Sequence, residues 1–280
     1  MQKAIENLVA ATLAEDIGQE DLTTNTIVPP ELRCLARLYA KQDGVLSGMK
    51  PFRAAFDLMD ADVRDWKALT DGTPFKKGDL IVSFEGKTQA VLTAERTAMN
   101  FVQHLSGVAT LTSKFVSALE GLECRICGTR KTMPMMRQLE KAAIVHGGGA
   151  NHRHTLFNGV LIKENHVMAA GGIREAIRRA WEGTHHLMRI GVEVEDLGQF
   201  DEALEAGADV ILMDNMSNED MREAVGRATG RKVILEASGN ATLDRIRSMA
   251  ETGVHFISVG ALTHSAPSID LTLLIENSGS

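Results

Sequence analysis

From Glu123 to Gly260 the chain alternates, at intervals of roughly 20 to 35 residues, between short apolar runs and longer amphipathic ones, the span of one β-α unit. The apolar runs are ECRICGTRK, GVLIKEN, LMRIGVEVE, DVILMDN, KVILEAS and FISVG. Between them lie MPMMRQLEKAAIVHG, GIREAIRRAWEG, LGQFDEALEAGA, SNEDMREAVGRATG and ATLDRIRSMAETG, several closing on a glycine suited to a left-handed cap. Six strands in such alternation predict a parallel sheet, closed or nearly closed.

Upstream the pattern differs. Ile5, Leu8, Val9, Thr12 and Leu13 fall at helical spacing, with Gly18 as the stop. From Arg33 to Glu85, short β-rich runs such as ARLYA and LIVSF, punctuated by DG, DGTP, KKGD and EGK, predict a small antiparallel sheet. From Thr88 to about Leu119 apolar residues recur at three and four, giving one long helix or two meeting near Ser106 and Gly107. The tail after Gly260, ALTHSAPSIDLTLLI, does not repeat the unit and is expected to pack back on the first domain.

Composition excludes several classes. A chain of 280 residues with 44% hydrophobic residues can bury a large core. A formal charge of -7 argues against a nucleic-acid partner, so any anion site must be local. Cys34, Cys124 and Cys127 are too few and too uneven for a disulfide framework, which fits a reducing compartment. The first eighteen residues carry Glu6, Glu15 and Asp16 among their apolar residues, unlike a signal peptide, and no later run approaches a membrane helix in apolar length. A cytoplasmic protein with no membrane partner is expected.

In parallel β/α architectures the chemistry gathers at the carboxyl ends of the strands, where loops from several strands converge. At those ends stand Arg130 and Lys131, then Lys163 to His166, Glu193 and Glu195, Asp214, Ser238 and Gly260. From Arg125 to His166 seven Arg and Lys residues and four histidines face only Glu140 and Glu164, which marks a local anion site in an acidic protein. Arg137 and Lys141, spaced by four, are read as a solvated helix face. Lys131 and Lys163, expected to end neighbouring strands, would converge on phosphate or carboxylate oxygens, and Arg153 adds a bidentate fork. Glu193 and Asp214 close two later neighbouring strands, a placement suited to Mg²⁺ held with sugar-phosphate oxygens, directly or through substrate or water, or to developing positive charge. Glu195 shares the parity of Glu193 and is the fallback. Ser238-Gly239-Asn240 and Val259-Gly260-Ala261 end the last two strands, where barrels often bind phosphate through backbone N–H groups.

Weaker motifs are set aside. The CxxC of Cys124 and Cys127 lies on a strand, where residues three apart point to opposite faces. His146, His152, His154 and His166 lack a metal-site spacing, so substrate contact by His152 is favoured over zinc. Gly147-Gly148-Gly149 follows a helix without a Walker lysine and is read as backbone permitting close approach of a ligand.

TRKT at 129–132, GGGANHR at 147–153 and LIKENH at 161–166 occur together. With AERTAMN, HLSGVAT, VEVEDL, LMDN, EASGN and VGALTHSAP, they make the chain resemble the quinolinate phosphoribosyltransferase family over most of its length. The resemblance implies an α/β fold with an N-terminal α/β sandwich domain (residues 1–107), an incomplete β/α barrel (108–264) and a tail (265–280) on the first domain. It implies transfer from phosphoribosyl pyrophosphate to quinolinate with Mg²⁺, release of pyrophosphate and CO₂, and formation of nicotinate mononucleotide for NAD biosynthesis. It further implies a homodimer or larger assembly in which Arg96 reaches the neighbouring subunit's site. Arg130, His152, Arg153 and Lys163 would hold quinolinate, with Thr129 beside them and Lys131 shielding its approach to the phosphorylated partner. Glu193 and Asp214 would stabilise the ribosyl cation. Ser238, Gly239, Asn240, Val259, Gly260 and Ala261 would hold the 5′-phosphate, with His264 on a phosphate group. Once the ring nitrogen is cationic it accepts electron density as CO₂ leaves, so no dedicated base is expected.

Gly128, Met135, Thr155 and Asn158 stand where the family usually has Asp, Gly, Gly and Asp. Two rival readings are a molybdenum-transport-associated relative, against which LIKENH speaks, and a catalytically silent nucleotide-binding paralogue, against which Lys131, Lys163, Glu193 and Asp214 speak together.

Overall fold

The computed structural model describes residues 2–277; residue 1 and residues 278–280 of the expected tail lie outside the described residues. The chain runs α1 (Gln2–Ile17), α2 (Leu22–Ile27), β1 (Arg33–Ala40), β2 (Gly44–Val45), α3 (Met49–Leu58), β3 (Arg64–Ala68), β4 (Pro74–Phe75), β5 (Leu80–Lys87) and α4 (Thr88–Ser117). It continues with β6 (Arg125–Gly128), α5 (Arg137–His146), β7 (Ala150–Asn151), β8 (Val160–Ile162), α6 (Glu164–Ala170), α7 (Ile173–Gly183), β9 (Ile190–Val194) and α8 (Leu197–Glu205). The last elements are β10 (Val210–Asp214), α9 (Asn218–Arg227), β11 (Ile234–Ser238), α10 (Leu243–Ala250), β12 (Phe256–Val259), α11 (Ala261–His264) and β13 (Leu271–Asn277).

The chain divides into two compact units. The first holds residues 1–111, 134–148 and 265–280, and the second 112–133 and 149–264. The 134–148 segment, which carries α5, falls in the first of these units.

In the first unit an antiparallel sheet of order β13-β1-β5-β3 is built from alternating strands: β1 buries every second residue. The tail's β13 pairs with β1 over Cys34 to Ala40. Phe52 and Phe56 of α3 pack with Trp66 and Phe84, the Phe56 and Phe84 ring centroids 4.8 Å apart. Helix α3 corrects the expectation of sheet throughout this stretch. Its Pro51 falls in the first turn, where a missing N–H costs no hydrogen bond, and Gly48 enters it at φ +105°. Helix α4 is one unbroken helix rather than two: Gly107 does not break it but lets the Pro267 backbone approach, since a Cβ there would lie 2.2 Å from the Pro267 carbonyl oxygen.

Lys141 is also not on a solvated face. It is 1% exposed, and its neighbour Glu140, fully buried, meets His104 Nε2 at 2.7 Å. Spacing by four shows which residues share a helix face but not whether that face turns inward.

The second unit is an open β/α barrel, a curled seven-stranded parallel sheet of order β7-β6-β12-β11-β10-β9-β8. All six expected strands are present, and Ala150–Asn151 adds a seventh at the edge. Val192 and Val194 of β9, and Ile211 and Met213 of β10, are completely buried, as strands covered on both faces require. Strands β6 and β8 are not neighbours: β6 lies between β7 and β12, and β8 is the opposite edge. The barrel opens between β7 and β8, so Lys131 and Lys163 stand on opposite sides of that opening in strand order. Among the described residues no helix is long and apolar enough to cross a membrane.

Candidate active site

The carboxyl ends of the barrel strands enclose a cavity of about 790 Å³. Thr129, Arg130 and Lys131 follow β6, His152 and Arg153 follow β7, and Lys163 follows β8; all line it. Glu193, Asp214, Ser238, Gly239, Asn240, Gly260, Ala261 and His264 line the same cavity. The cavity therefore gathers Lys131 and Lys163 even though their strands are not adjacent. Two expected residues are not part of its lining. Arg96 is exposed on α4, and the Val259 side chain is buried at 1% exposure. Glu195 is exposed, outside the lining, and its N–H donates to Gln199 Oε1.

Local bonding sets these side chains. After β6, the Lys131 N–H donates to Thr129 Oγ1 at 3.1 Å, and the Lys131 carbonyl accepts from the buried Thr263 hydroxyl at 2.7 Å. Gly260 leaves room beside this loop, since a Cβ would lie 3.0 Å from Lys131 Cδ and 3.3 Å from His264 Nε2. Lys163 sits at the N-cap of α6, where its N–H donates to His166 Nδ1 at 3.0 Å and its carbonyl accepts from the His166 N–H at 2.7 Å. His166 thus orders the start of the helix.

Within the cationic wall the two arginines keep unspent donors. The Nε atoms of Arg130 and Arg153 are buried without a hydrogen-bond partner, while Arg153 Nη1 donates to the Gly159 carbonyl at 2.7 Å. Burial, and then the charge of Arg130, push the Arg153 pKa down from the ordinary guanidinium value. Two half-buried arginines, each with a buried Nε–H that is unspent, favour an anion between them. At the neighbouring end of β9, Lys163 Nζ meets Glu193 Oε2 at 2.5 Å.

On the acidic side, Glu193 on β9 pairs in register with Leu212 on β10, and Asp214 with Ser238 on β11. Asn215, at φ +57°, donates from Nδ2 to Asp214 at 3.1 Å and accepts from Asn240 Nδ2 at 3.2 Å. Gly239 is required here by both criteria: its φ is +86°, and a Cβ would fall 2.2 Å from Asn215 Oδ1.

Sequence reasoning missed three residues. Asn215 and Ser258 line the cavity. Glu236, 4% exposed on β11, accepts a short hydrogen bond from Ser258 Oγ and lies 3.8 Å from His152 Nε2. Burial, and then the charge of Glu193, push its carboxyl up to about 7. The available signal was a lone charge inside the apolar run KVILEAS, on the same strand face as Ser238.

Among the described residues the three cysteines are buried and form no disulfide, and burial pushes the Cys124 thiol up to about 11. No group of three or more His, Cys, Asp or Glu among the described residues is placed to hold a metal ion. Thr155 and Asn158, two of the departures noted above, bond to each other at 2.6 Å, and Met135 adopts φ +63°, the backbone its usual glycine would take.

Fold and cavity together define a protein of the open β/α-barrel class that gathers cationic and anionic side chains in one cavity at its strand ends. The family model described as quinolinate phosphoribosyl transferase, N-terminal domain, matches residues 21–106, and that of the C-terminal domain matches residues 108–274. A Bacillus subtilis protein named "Probable nicotinate-nucleotide pyrophosphorylase (carboxylating)" is 39% identical over 269 residues, covering 96% of this chain and 92% of its own. A Nicotiana tabacum protein named quinolinate phosphoribosyltransferase (decarboxylating) 1b is 35% identical over 291 residues, covering 97% of this chain and 82% of its own. The solved structure of the nicotinate-nucleotide pyrophosphorylase from Francisella tularensis superimposes with a TM-score of 0.93 at 37% identity, covering 99% of this chain and 97% of that one. The chain belongs to the quinolinate phosphoribosyltransferase family.

Proposed function

We infer that this chain transfers the phosphoribosyl group of phosphoribosyl pyrophosphate to quinolinate and releases pyrophosphate and CO₂, giving nicotinate mononucleotide for NAD biosynthesis. The observation that carries this reading is one cavity with buried, unspent Arg130 and Arg153 donors on one side and Glu193 with Asp214 on the other. A planar dianion needs the first set, and a ribosyl cation the second.

In this reading Arg130, Arg153, Lys163 and His152 hold the two carboxylates, and Lys131, beside Thr129, screens them from the pyrophosphate. Backbone groups of Ser238, Gly239, Asn240, Val259, Gly260 and Ala261 hold the 5′-phosphate, with His264 on a phosphate oxygen. Glu193 and Asp214 stabilise the cation as the bond to pyrophosphate breaks, and the ring nitrogen's electron pair forms the new glycosidic bond. The electron pair left by departing CO₂ is stabilised by the adjacent cationic nitrogen, and that carbon then takes up a proton.

Two carboxylates do not make a cage for Mg²⁺, but they fit its usual mode, in which substrate phosphate oxygens and water supply the remaining ligands. Mg²⁺ would enter with phosphoribosyl pyrophosphate beside Glu193 and Asp214 and neutralise the leaving group. We read the working form as a cytoplasmic homodimer or larger assembly with Arg96 serving the neighbouring site, which its exposure permits.

The rival readings fit less well. Lys163 of LIKENH stands in the cavity wall, against the molybdenum-transport-associated alternative, and both charge sets meet in one cavity, against a silent paralogue.

The test incubates purified protein with quinolinate, phosphoribosyl pyrophosphate and Mg²⁺ and follows nicotinate mononucleotide and CO₂. Absence of both products overturns the reading. Mixing Arg96→Ala protein with an inactive cavity variant tests the shared site: recovery of part of the activity supports it, and no recovery removes it.

A further inference from the structure

We infer that Asn215 is the positioning residue for Asp214: its side-chain amide, tied in turn to Asn240, fixes the carboxylate in the cavity wall and leaves its charge intact. The inference rests on the proposed reaction only for what Asp214 does to the substrate.

The placement begins with the backbone. Asp214 ends β10 in register with Ser238 of β11, and the Asn215 N–H carries the pairing one residue further by donating to the Ser238 carbonyl at 3.0 Å. The chain then has little room to turn, because Met216 is buried and Ser217 already caps α9, its Oγ accepting the Asp220 N–H at 3.0 Å. Asn215 makes the turn at φ +57°, a left-handed conformation that Asn adopts at less cost than most residues. Asn240, just beyond the end of the neighbouring strand, is left-handed too, at φ +46°.

These two turns bring the amides into line. Asn240 Nδ2 donates to Asn215 Oδ1 at 3.2 Å, and Asn215 Nδ2 donates to Asp214 Oδ2 at 3.1 Å. Reversing the Asn215 amide would set an oxygen against the carboxylate, so the charge of Asp214 fixes the direction of the whole chain of bonds. The Asn240 carbonyl is held from behind by Arg245 Nη1 at 3.1 Å. Gly239 keeps the space for the Asn215 amide open, since a Cβ there would lie 2.2 Å from Asn215 Oδ1.

The neutrality of this clamp matters. Glu193 holds Lys163, so its charge is offset until a ligand takes the lysine. Among the described residues no Lys, Arg or His is ion-paired with Asp214. A cation in the place of Asn215 would hold the carboxylate too, but it would cancel much of the field that a ribosyl cation needs. An amide fixes the rotamer and keeps the charge.

A residue that served only the turn makes a different prediction. Asn215→Gly keeps the left-handed backbone and removes the amide, so a turn residue would leave the kinetics at wild-type values. The positioning role predicts that Asn215→Gly lowers kcat/KM for phosphoribosyl pyrophosphate on the order of 10-fold, leaves quinolinate KM within about twofold, and unfolds in urea close to wild type. In a crystal structure of the ligand-free variant, the Asp214 carboxylate should leave its wild-type rotamer or occupy more than one. Asn240→Gly unties Asn215 Oδ1 while keeping the backbone groups proposed to hold phosphate. It should lower the same kcat/KM about threefold, and in the Asn215→Gly background it should have no further effect.

Wild-type kinetics in Asn215→Gly, a single unmoved Asp214 rotamer, an equal rise in quinolinate KM, or additive effects in the double variant overturns the inference. Should Asn215→Gly fail to fold, Asn240→Gly decides through its kcat/KM and its Asp214 rotamer. The rotamer is read without substrate, so failure of the quinolinate assay in the wild type would sink the functional reading and leave this one to its own measurement.

Discussion

Lys163 Nζ lies 2.5 Å from Glu193 Oε2, joining edge strand β8 to β9 through a cation and an anion that the proposed reaction assigns to different substrates. Without ligands each satisfies the other; with ligands quinolinate takes the lysine and the ribosyl side takes the glutamate. Lys163→Met should raise quinolinate KM on the order of 100-fold and leave Glu193 free to bind Mg²⁺ more tightly in the absence of substrates. Steady-state kinetics and Mg²⁺ calorimetry check both halves, and unchanged values in both would remove the pair from the site.

Arg153 is placed for a ligand more than for the fold, since its Nε is buried and unpartnered while the charge of Arg130 presses on it. Arg153→Ala should lower kcat/KM for quinolinate on the order of 1000-fold while costing less than about 1 kcal/mol of stability. Kinetics and urea unfolding of the same preparation separate the two effects. A large stability loss with intact kinetics would reverse the assignment.

Glu236 gives stability a sign with pH. Its carboxyl is pushed from the ordinary 4.5 up to about 7, first by burial and then by Glu193. Below about pH 4.5 both folded and unfolded chains are protonated here and its stability contribution is fully present. As pH rises to about 7 the unfolded chain ionises first, and on the order of 3 kcal/mol is lost. Glu236→Gln should therefore gain stability relative to wild type between about pH 5 and about pH 8, measured by urea unfolding at both ends. Parallel curves for the two proteins would refute the assignment.

Gly107 is predicted to tolerate no side chain. Gly107→Ala places a Cβ 2.2 Å from the Pro267 carbonyl oxygen, and the contact is backbone on both sides. A loss of about 2 to 4 kcal/mol is expected in denaturant unfolding despite alanine's better helix propensity.

Met135 is strained in the opposite sense, with φ +63° and 82% of the residue exposed. Met135→Gly should stabilise by up to about 1 kcal/mol, relief of the left-handed conformation outweighing the entropy of glycine. A fall in the unfolding midpoint would show that the methionine side chain contributes through a contact.

Much of the site was legible in the sequence because it follows from local rules. Barrel strands covered on both faces read as continuous apolar runs, so their ends could be located, and residues such as Lys131, Glu193 and Asp214 follow from those ends. Helix α3 was hidden because Gly48 and Pro51 resemble turn signals, although both suit a helix start. Lys141 was misplaced because periodicity does not reveal which face a neighbouring element covers. Glu236 was overlooked because a charge inside an apolar strand gains meaning only from what it faces.

The sequence by itself determined the β/α rhythm, the strand ends and the charge classes gathered there, because hydrophobic period and turn chemistry act over a few residues. Only the tertiary structure decided that β6 and β8 lie apart in the sheet, that Lys163 pairs with Glu193, and that Glu236 stands beside His152. Those relations join residues tens of positions apart, and they depend on strand order and barrel curvature, which no local pattern encodes.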